Sequence, residues 1–297
     1  MIKLAFSTVA CPEKPLRDVA AMAESIGAQG VELRTFGSNS THFACDPAMS
    51  DPGKVVRMFA DAGTRICSLG TSCRFDAPVS PPIVGRLIGD VEKSVREAKF
   101  AIDLASELGA SFVRVFGFER PDGATQASTD AMVVERLVKV CDHARHRAVK
   151  VVLENGGSYG TATSIAGIID QVASPLLGAC YNMSVAVEAG EDAAHGVNVL
   201  GDRLLMAKVK DFRGSLACPV GQGDMQCRES VKALLNARFG GWVVYEYDRA
   251  WLSQGNSGDG DGVVGAPSEM IRESFATMSR WIAEARQGAA SRMFASA

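Results

Sequence analysis

The chain reads as a single α/β domain, a (β/α)8 barrel, and three observations carry that reading. Short apolar runs alternate with amphipathic helical patterns from end to end. Four runs in the second half, residues 151–155, 177–182, 204–211 and 242–248, are apolar without alternation and stop abruptly in polar groups. No change in composition marks a linker within the 297 residues. Strands lacking alternation are buried on both faces, as in parallel sheets. Eight strand–helix units in this length suit a barrel better than its competitor, an open doubly wound sheet.

Taken in order, residues 4–9 form the first strand. Pro15 and Leu16 open a helix whose apolar stripe is Leu16, Val19, Ala23 and Ile26, and Gly27 stops it. Residues 30–33 make the second strand, and a helix over 52–62 ends at Gly63. Residues 65–69 form the third strand. Asp90 caps a long helix with Val91, Val95, Ala98, Ile102, Ala105 and Leu108 on one face, closed by Gly109. Residues 112–116 are the fourth strand, followed by a helix over about 129–146. The four remaining strands alternate with helices over 164–172, 185–199 and 229–239, and a last helix starts at Pro267. The barrel takes residues 1–287, and residues 288–297 make a C-terminal tail small and polar enough to fray.

A formal charge of −3 gives no pull toward phosphate backbones or anionic membranes, so nucleic-acid and membrane partners are not expected. No run approaches the ~20 apolar residues of a membrane span. The apolar start, residues 1–6, is too short for a signal segment. Eight scattered cysteines without a CxxC pair suit reduced thiols of a cytoplasmic protein. The connections over 73–82 and 253–267 fall on the side of a barrel where long loops act as lids. Asp259 and Asp261 lack the later glutamate of a calcium loop. Gly221-Gln222-Gly223 lacks the strand–helix context of a dinucleotide site and reads as a turn.

Polar residues at the C-terminal ends of barrel strands converge on one mouth, where such folds place their chemistry. Glu154, Asn182, Lys208 and Glu246 come from four strands and meet there. Glu32 ends the second strand, as an orienting acid or a core anchor. Arg34, Arg74 and Arg114 stand near strand ends, suited to substrate hydroxyls or phosphate and equally to salt bridges. Trp242, Tyr245 and Tyr247 suit packing more than ring stacking.

The ordered set Ala5-Phe6-Ser7-Thr8, Gly30-Val31-Glu32-Leu33-Arg34, Leu153-Glu154-Asn155, Lys208-Val209-Lys210-Asp211, Gly221-Gln222-Gly223 and Val244-Tyr245-Glu246 resembles the xylose-isomerase-like TIM-barrel superfamily. Within it, the chain is similar to the sugar phosphate isomerase/epimerase group, with its ketose 3-epimerases, hydroxypyruvate isomerases and inosose dehydratases. The resemblance spans nearly the whole chain and implies one divalent metal held by Glu, Asp, His and Glu. Carried over, the two Glu positions are Glu154 and Glu246, the Asp position is Asn182 and the His position is Lys208. Gly156 and Val185 replace two further histidines, while His42, His143, His146 and His195 lie elsewhere.

An ammonium has no lone pair, and a neutral amide is a poor substitute for a carboxylate around a hard cation. Mn, Mg or Zn is therefore disfavoured, and no cofactor is expected. Three carboxylates with a dication carry one net negative charge, and so do two carboxylates with a lysine. Lys208 is thus expected to stand in the metal's place between Glu154 and Glu246. The resemblance then implies an isomerase or epimerase moving a carbon-bound proton with Glu154 and Glu246, while Lys208, with Lys210 or Arg213, charges the developing oxyanion. Asn182, Arg213, Lys210, Arg114 and Glu32 complete the expected substrate contacts. Schiff-base chemistry at Lys208 needs a neutral amine, which two carboxylates oppose. The partner expected is a small sugar, polyol or hydroxy-carbonyl compound, with homo-oligomerisation left open. The alternative is a non-catalytic carbohydrate-binding or regulatory barrel. The apurinic endonuclease branch needs a His-rich metal centre and a basic surface, which this chain lacks.

Overall fold

The computed structural model describes residues 1–36, 42–43, 51–76, 93–248 and 266–295. Its strands are β1 (Lys3–Ser7), β2 (Gly30–Phe36), β3 (His42–Phe43), β4 (Arg65–Arg74), β5 (Phe112–Phe116), β6 (Lys150–Glu154), β7 (Leu177–Asn182), β8 (Leu204–Val209), β9 (Asp211–Arg213), β10 (Leu216–Cys218) and β11 (Trp242–Tyr245). Eight of these run parallel in the order β1-β2-β4-β5-β6-β7-β8-β11, and β11 returns to pair with β1. The ring is closed, so the barrel itself has no free edge. β3 adds antiparallel to β2, and β9 with β10 forms a separate hairpin.

Around the barrel lie α1 (Leu16–Ser25), α2 (Pro52–Asp61), α3 (Lys93–Glu107), α4 (Gln126–Ala144), α5 (Ala162–Val172), α6 (Met183–Glu188), α7 (Ala193–Leu200), α8 (Cys227–Asn236) and α9 (Pro267–Ala295). Several begin with a side-chain cap. Asp51 accepts from Gly53 N and Lys54 N, Thr125 from Ser128 N, and Thr161 from Ser164 N. Each such cap stabilises its helix by ~1 kcal/mol.

Four boundaries differ from expectation. The first strand stops at Ser7, and residues Thr8–Ala10 turn as a 3-10 helix. The third strand runs on to Arg74. The helix expected over 185–199 is split, because Gly190 adopts φ +79° and Asp192 caps a new helix by accepting from His195 N. The last helix extends through Ala295, past Gln287, into the segment expected to fray. Asp90, Asp259, Asp261 and most of the two long connections lie outside the described residues.

Two apolar cores result. The larger one fills the space between strands and helices, with Leu33, Val113, Leu153 and Val209 facing Ile102, Leu137 and Ile169. The smaller one plugs the barrel's interior with Ala5, Cys67, Val152, Cys180, Met206, Trp242 and Val244. Gly30 is required here, since a Cβ would stand 2.6 Å from the Trp242 ring. Directly above the plug, the interior residues become charged.

Candidate active site

Alternate residues of a strand face the same side, so one step of two along each strand moves from the plug to the mouth. Val152 gives way to Glu154, Cys180 to Asn182, Met206 to Lys208 and Val244 to Glu246. Registers hold these at one level: Asn182 pairs with Lys208 across β7 and β8, and Glu246 N donates to Val209 O.

Lys208 is the hub. Its ammonium lies 3.1 Å from Glu32 Oε1, 3.1 Å from Glu154 Oε2 and 2.7 Å from Glu246 Oε1, and the side chain is 0% exposed. The ammonium thus donates to Glu246 and is ion-paired with Glu32 and Glu154, so three carboxylates surround it. Arg114 adds a second cation, its Nε 3.0 Å from Glu154 Oε2 and its Nη1 donating to Thr71 O at 2.7 Å. Asn182 Nδ2 donates to Glu154 Oε1 at 2.9 Å and, more loosely, to Glu246 Oε2 at 3.4 Å. Ser68 Oγ donates to Glu32 Oε2. Gly70 makes room, because a Cβ there would press at 3.0 Å on the Glu32 carboxyl and at 3.2 Å on Arg114.

Three carboxylates with two cations again leave one net negative charge, so Glu32 and Arg114 enter the balance as a matched pair. Burial and the Arg114 guanidinium push the Lys208 ammonium toward losing its proton, and the three carboxylates outweigh both, holding its pKa above the usual lysine range. The Schiff-base route is therefore closed near neutral pH. For Glu246, burial raises the pKa, but Lys208, Lys210 and Arg114 overcome it and hold the carboxyl at about 2. Glu32 is likewise held low against burial by Lys208 and Arg114.

Above the cluster opens a cavity of about 560 Å³ whose walls include Arg34, Arg74, Phe116, Phe118, Asn155, Val185, Lys210 and Asp248, with Glu154, Asn182 and Glu246 at its floor. Lys208 and Glu32 lie beneath and do not line it. Lys210 Nζ lies 2.6 Å from Asp248 Oδ2, with side chains 16% and 20% exposed. Arg34 is buried, donating to Gly70 O at 2.7 Å and Ser72 Oγ at 3.0 Å. Arg74 chelates Asp76 and stacks at 4.3 Å on Phe118, as Arg114 does on Phe116. Arg213 is elsewhere: exposed on the β9–β10 hairpin, it donates to Gln222 O and does not reach the cavity.

Several wall residues went unnoticed in the sequence. Asp248 follows Glu246 by the same step of two that identified the floor. Phe118 has φ +77°, a costly conformation for a bulky side chain. Its ring would stand 3.5 Å from a Cβ at Gly156, so it flanks space that the resemblance gives to a histidine. Asn155 ties the strand ends together, accepting from Asn182 N at 2.6 Å and donating to Asn182 O and Gly160 O. Gly221 N, Gly223 N and Met225 N all donate to Asp211, so Gly221-Gln222-Gly223 is a turn wrapped on a carboxylate. No disulfide joins the described cysteines, and burial pushes the Cys67 thiol up to about 12. His143 pairs with Asp103, and neither it, His146 nor His195 lines the cavity.

The donor set does not fit a divalent metal. The point between the carboxylates holds an ammonium nitrogen, and Asn182 turns its amide hydrogens toward both acids while its Oδ1 accepts from Val185 N at the start of α6.

A closed parallel barrel with convergent acids at the C-terminal mouth defines the class. The chain belongs to the xylose isomerase-like TIM barrel family, whose model matches residues 20–281. No curated protein matches it. Among solved structures it is similar to an L-ribulose 3-epimerase (TM-score 0.78, 14% identity, 97% of each chain covered). It is also similar to a D-allulose 3-epimerase from Methylomonas sp. (TM-score 0.74, 15% identity, 94% of this chain and 98% of that one). A third is the IolI protein with a binding zinc atom (TM-score 0.75, 16% identity, 95% and 98%). At these identities the likeness establishes the fold. Among the described residues no helix is long and apolar enough to cross a membrane.

Proposed function

We propose that the protein is a sugar isomerase- or epimerase-like enzyme that moves a carbon-bound proton of a small hydroxy-carbonyl compound without a metal in the cluster. The observation that carries this reading is the pair Glu154 and Glu246, bridged by both Asn182 and Lys208 and forming the floor of a cavity of about 560 Å³. Glu154 accepts from Asn182 and is ion-paired with Lys208 and Arg114. Among the described residues Glu246 Oε2 receives the 3.4 Å contact from Asn182 alone, which leaves it the better seat for a substrate proton. In the step, a carboxylate takes the proton from the carbon beside a carbonyl and the C–H electron pair moves into a carbon–carbon double bond. The carbonyl oxygen becomes an enediolate oxygen. Return of the proton to the neighbouring carbon, with the hydroxyl proton passing to the former carbonyl oxygen, isomerises the sugar, and return to the opposite face of the same carbon epimerises it.

A carboxyl held at about 2 is a weak base, so a cation must acidify the carbon by charging the carbonyl oxygen. Incubation with three- to six-carbon ketoses in D2O, followed by NMR, tests the proposal. Deuterium is expected at the carbon beside the carbonyl, with Glu246→Gln slowing its entry by ~10²–10⁴. No exchange with any ketose would sink it. The second reading, a binding barrel without turnover, is favoured by the burial of Lys208 among three carboxylates and by the low Glu246 pKa. It expects ligand affinity unaffected by Glu246→Gln and no exchange at all.

A further inference from the structure

We infer that Lys210 is the cation that touches the substrate's oxygen, and that the site binds best a species carrying an enediolate-like oxyanion. The inference deepens the proton-transfer reading and rests on it. Lys208 cannot serve that role from where it stands, since its ammonium is hydrogen-bonded to Glu246, ion-paired with Glu32 and Glu154, and its side chain is sealed from the cavity.

The next residue of the chain with the same facing is Lys210, one step nearer the mouth. Its ammonium lines the cavity beside Glu246. Among the described residues, Asp248 is the one hydrogen-bond partner of its nitrogen, at 2.6 Å. An ammonium has three N–H donors, so two remain for a ligand. The backbone that carries it is fixed on both sides: Lys210 N donates to Ser184 Oγ at 3.3 Å, and Lys210 O accepts from Ser184 Oγ and from Cys227 Sγ at 3.4 Å. Asp248 restrains the ammonium without enclosing it, since the pair keeps 16% and 20% of its side-chain surface exposed.

The other cations of the wall are paired as well, although Arg74 keeps 47% of its side chain exposed. Arg114 is held by Glu154 and Thr71 O, Arg34 by Gly70 O, Thr35 O and Ser72, and Arg74 by both oxygens of Asp76. Lys210 and Glu246 line one cavity, and Lys210 is among the charges that hold the Glu246 carboxyl low, so base and electrophile can address one substrate together. Lys208 is then a positioning residue, holding the acids at the geometry Lys210 exploits.

Calorimetry on the full-length protein tests this with hydroxamates of three- to six-carbon aldonic acids, which mimic an enediolate, each beside its alditol. Wild type is expected to prefer at least one hydroxamate by roughly tenfold, the worth of one charged hydrogen bond. Lys210→Met and Lys210→Gln should both erase the preference, Lys210→Arg should keep part of it, and the unfolding midpoint should hold. Preference retained in both neutral variants, or absent from wild type, would overturn the inference. Failure of deuterium exchange with the hydroxamate preference intact would remove the proton-transfer reading and leave Lys210 as the oxyanion contact.

Discussion

Lys208 and Lys210 stand two residues apart on one face of the same stretch of chain, and their surroundings are opposite. Lys208 is sealed among three carboxylates, hydrogen-bonded to one and ion-paired with the other two. Lys210 has one carboxylate partner and opens on the cavity. Identical chemistry thus serves two ends according to depth. Below, a cation walled off by carboxylates gathers the acids into one cluster. Above, a cation with donors left over is available to a ligand.

That contrast can be broken from either side, and the largest effect falls on the deeper residue. Lys208→Met leaves three buried carboxylates around a vacated centre, with only Arg114 to compensate. Removing one partner of a buried ion network costs ~3–5 kcal/mol, to be read as a fall in the urea midpoint. Lys210→Met should cost ~1 kcal/mol or less, since a partly exposed single pair contributes little. Equal losses would erase the distinction between the two levels.

The double change Lys208→His with Asn182→Asp sharpens the comparison by replacing the organic cation with one imidazole and one further carboxylate beside Glu154 and Glu246. It should bind manganese or zinc stoichiometrically by calorimetry, where wild type does not. Asn182→Asp alone adds a fourth acid without a new cation. It should lower stability by a smaller amount and raise the pH of the acid transition.

The acid limb tests the same cluster through pH. Glu246 is held at about 2 against a reference of 4.5, so its contribution to stability is present above pH 4.5 and is lost as pH falls toward 2. Glu246→Gln should flatten that part of the stability curve and leave the neutral range nearly unchanged in slope. A curve with the wild-type acid limb would show that the carboxylate is not held by the cluster.

Much of this was legible from residue order alone. Buried strands showed themselves as runs without alternation, and the polar residue ending each run named Glu154, Asn182, Lys208 and Glu246. The step of two that finds Lys208 from Met206 also reaches Lys210 and Asp248, so the upper level was readable with the same rule carried one position further. Other features were not. Arg114 lies inside a strand, and only the packing of Gly70 against it reveals that it shares the acids with Lys208. Arg213 has the charge and the neighbours of a site residue, yet the β9–β10 hairpin carries it away, because Asp211 turns the chain to collect the amides of Gly221, Gly223 and Met225. Phe118 depends on a positive φ that no local pattern announces.

The most direct measurement is metal content. After incubation with excess zinc and manganese and removal of the free ions, the wild-type protein should carry substoichiometric metal, and its deuterium exchange with ketoses should survive a chelator. One tightly held divalent ion per chain, lost together with exchange when Glu154 and Glu246 are both changed to Gln, would contradict the account.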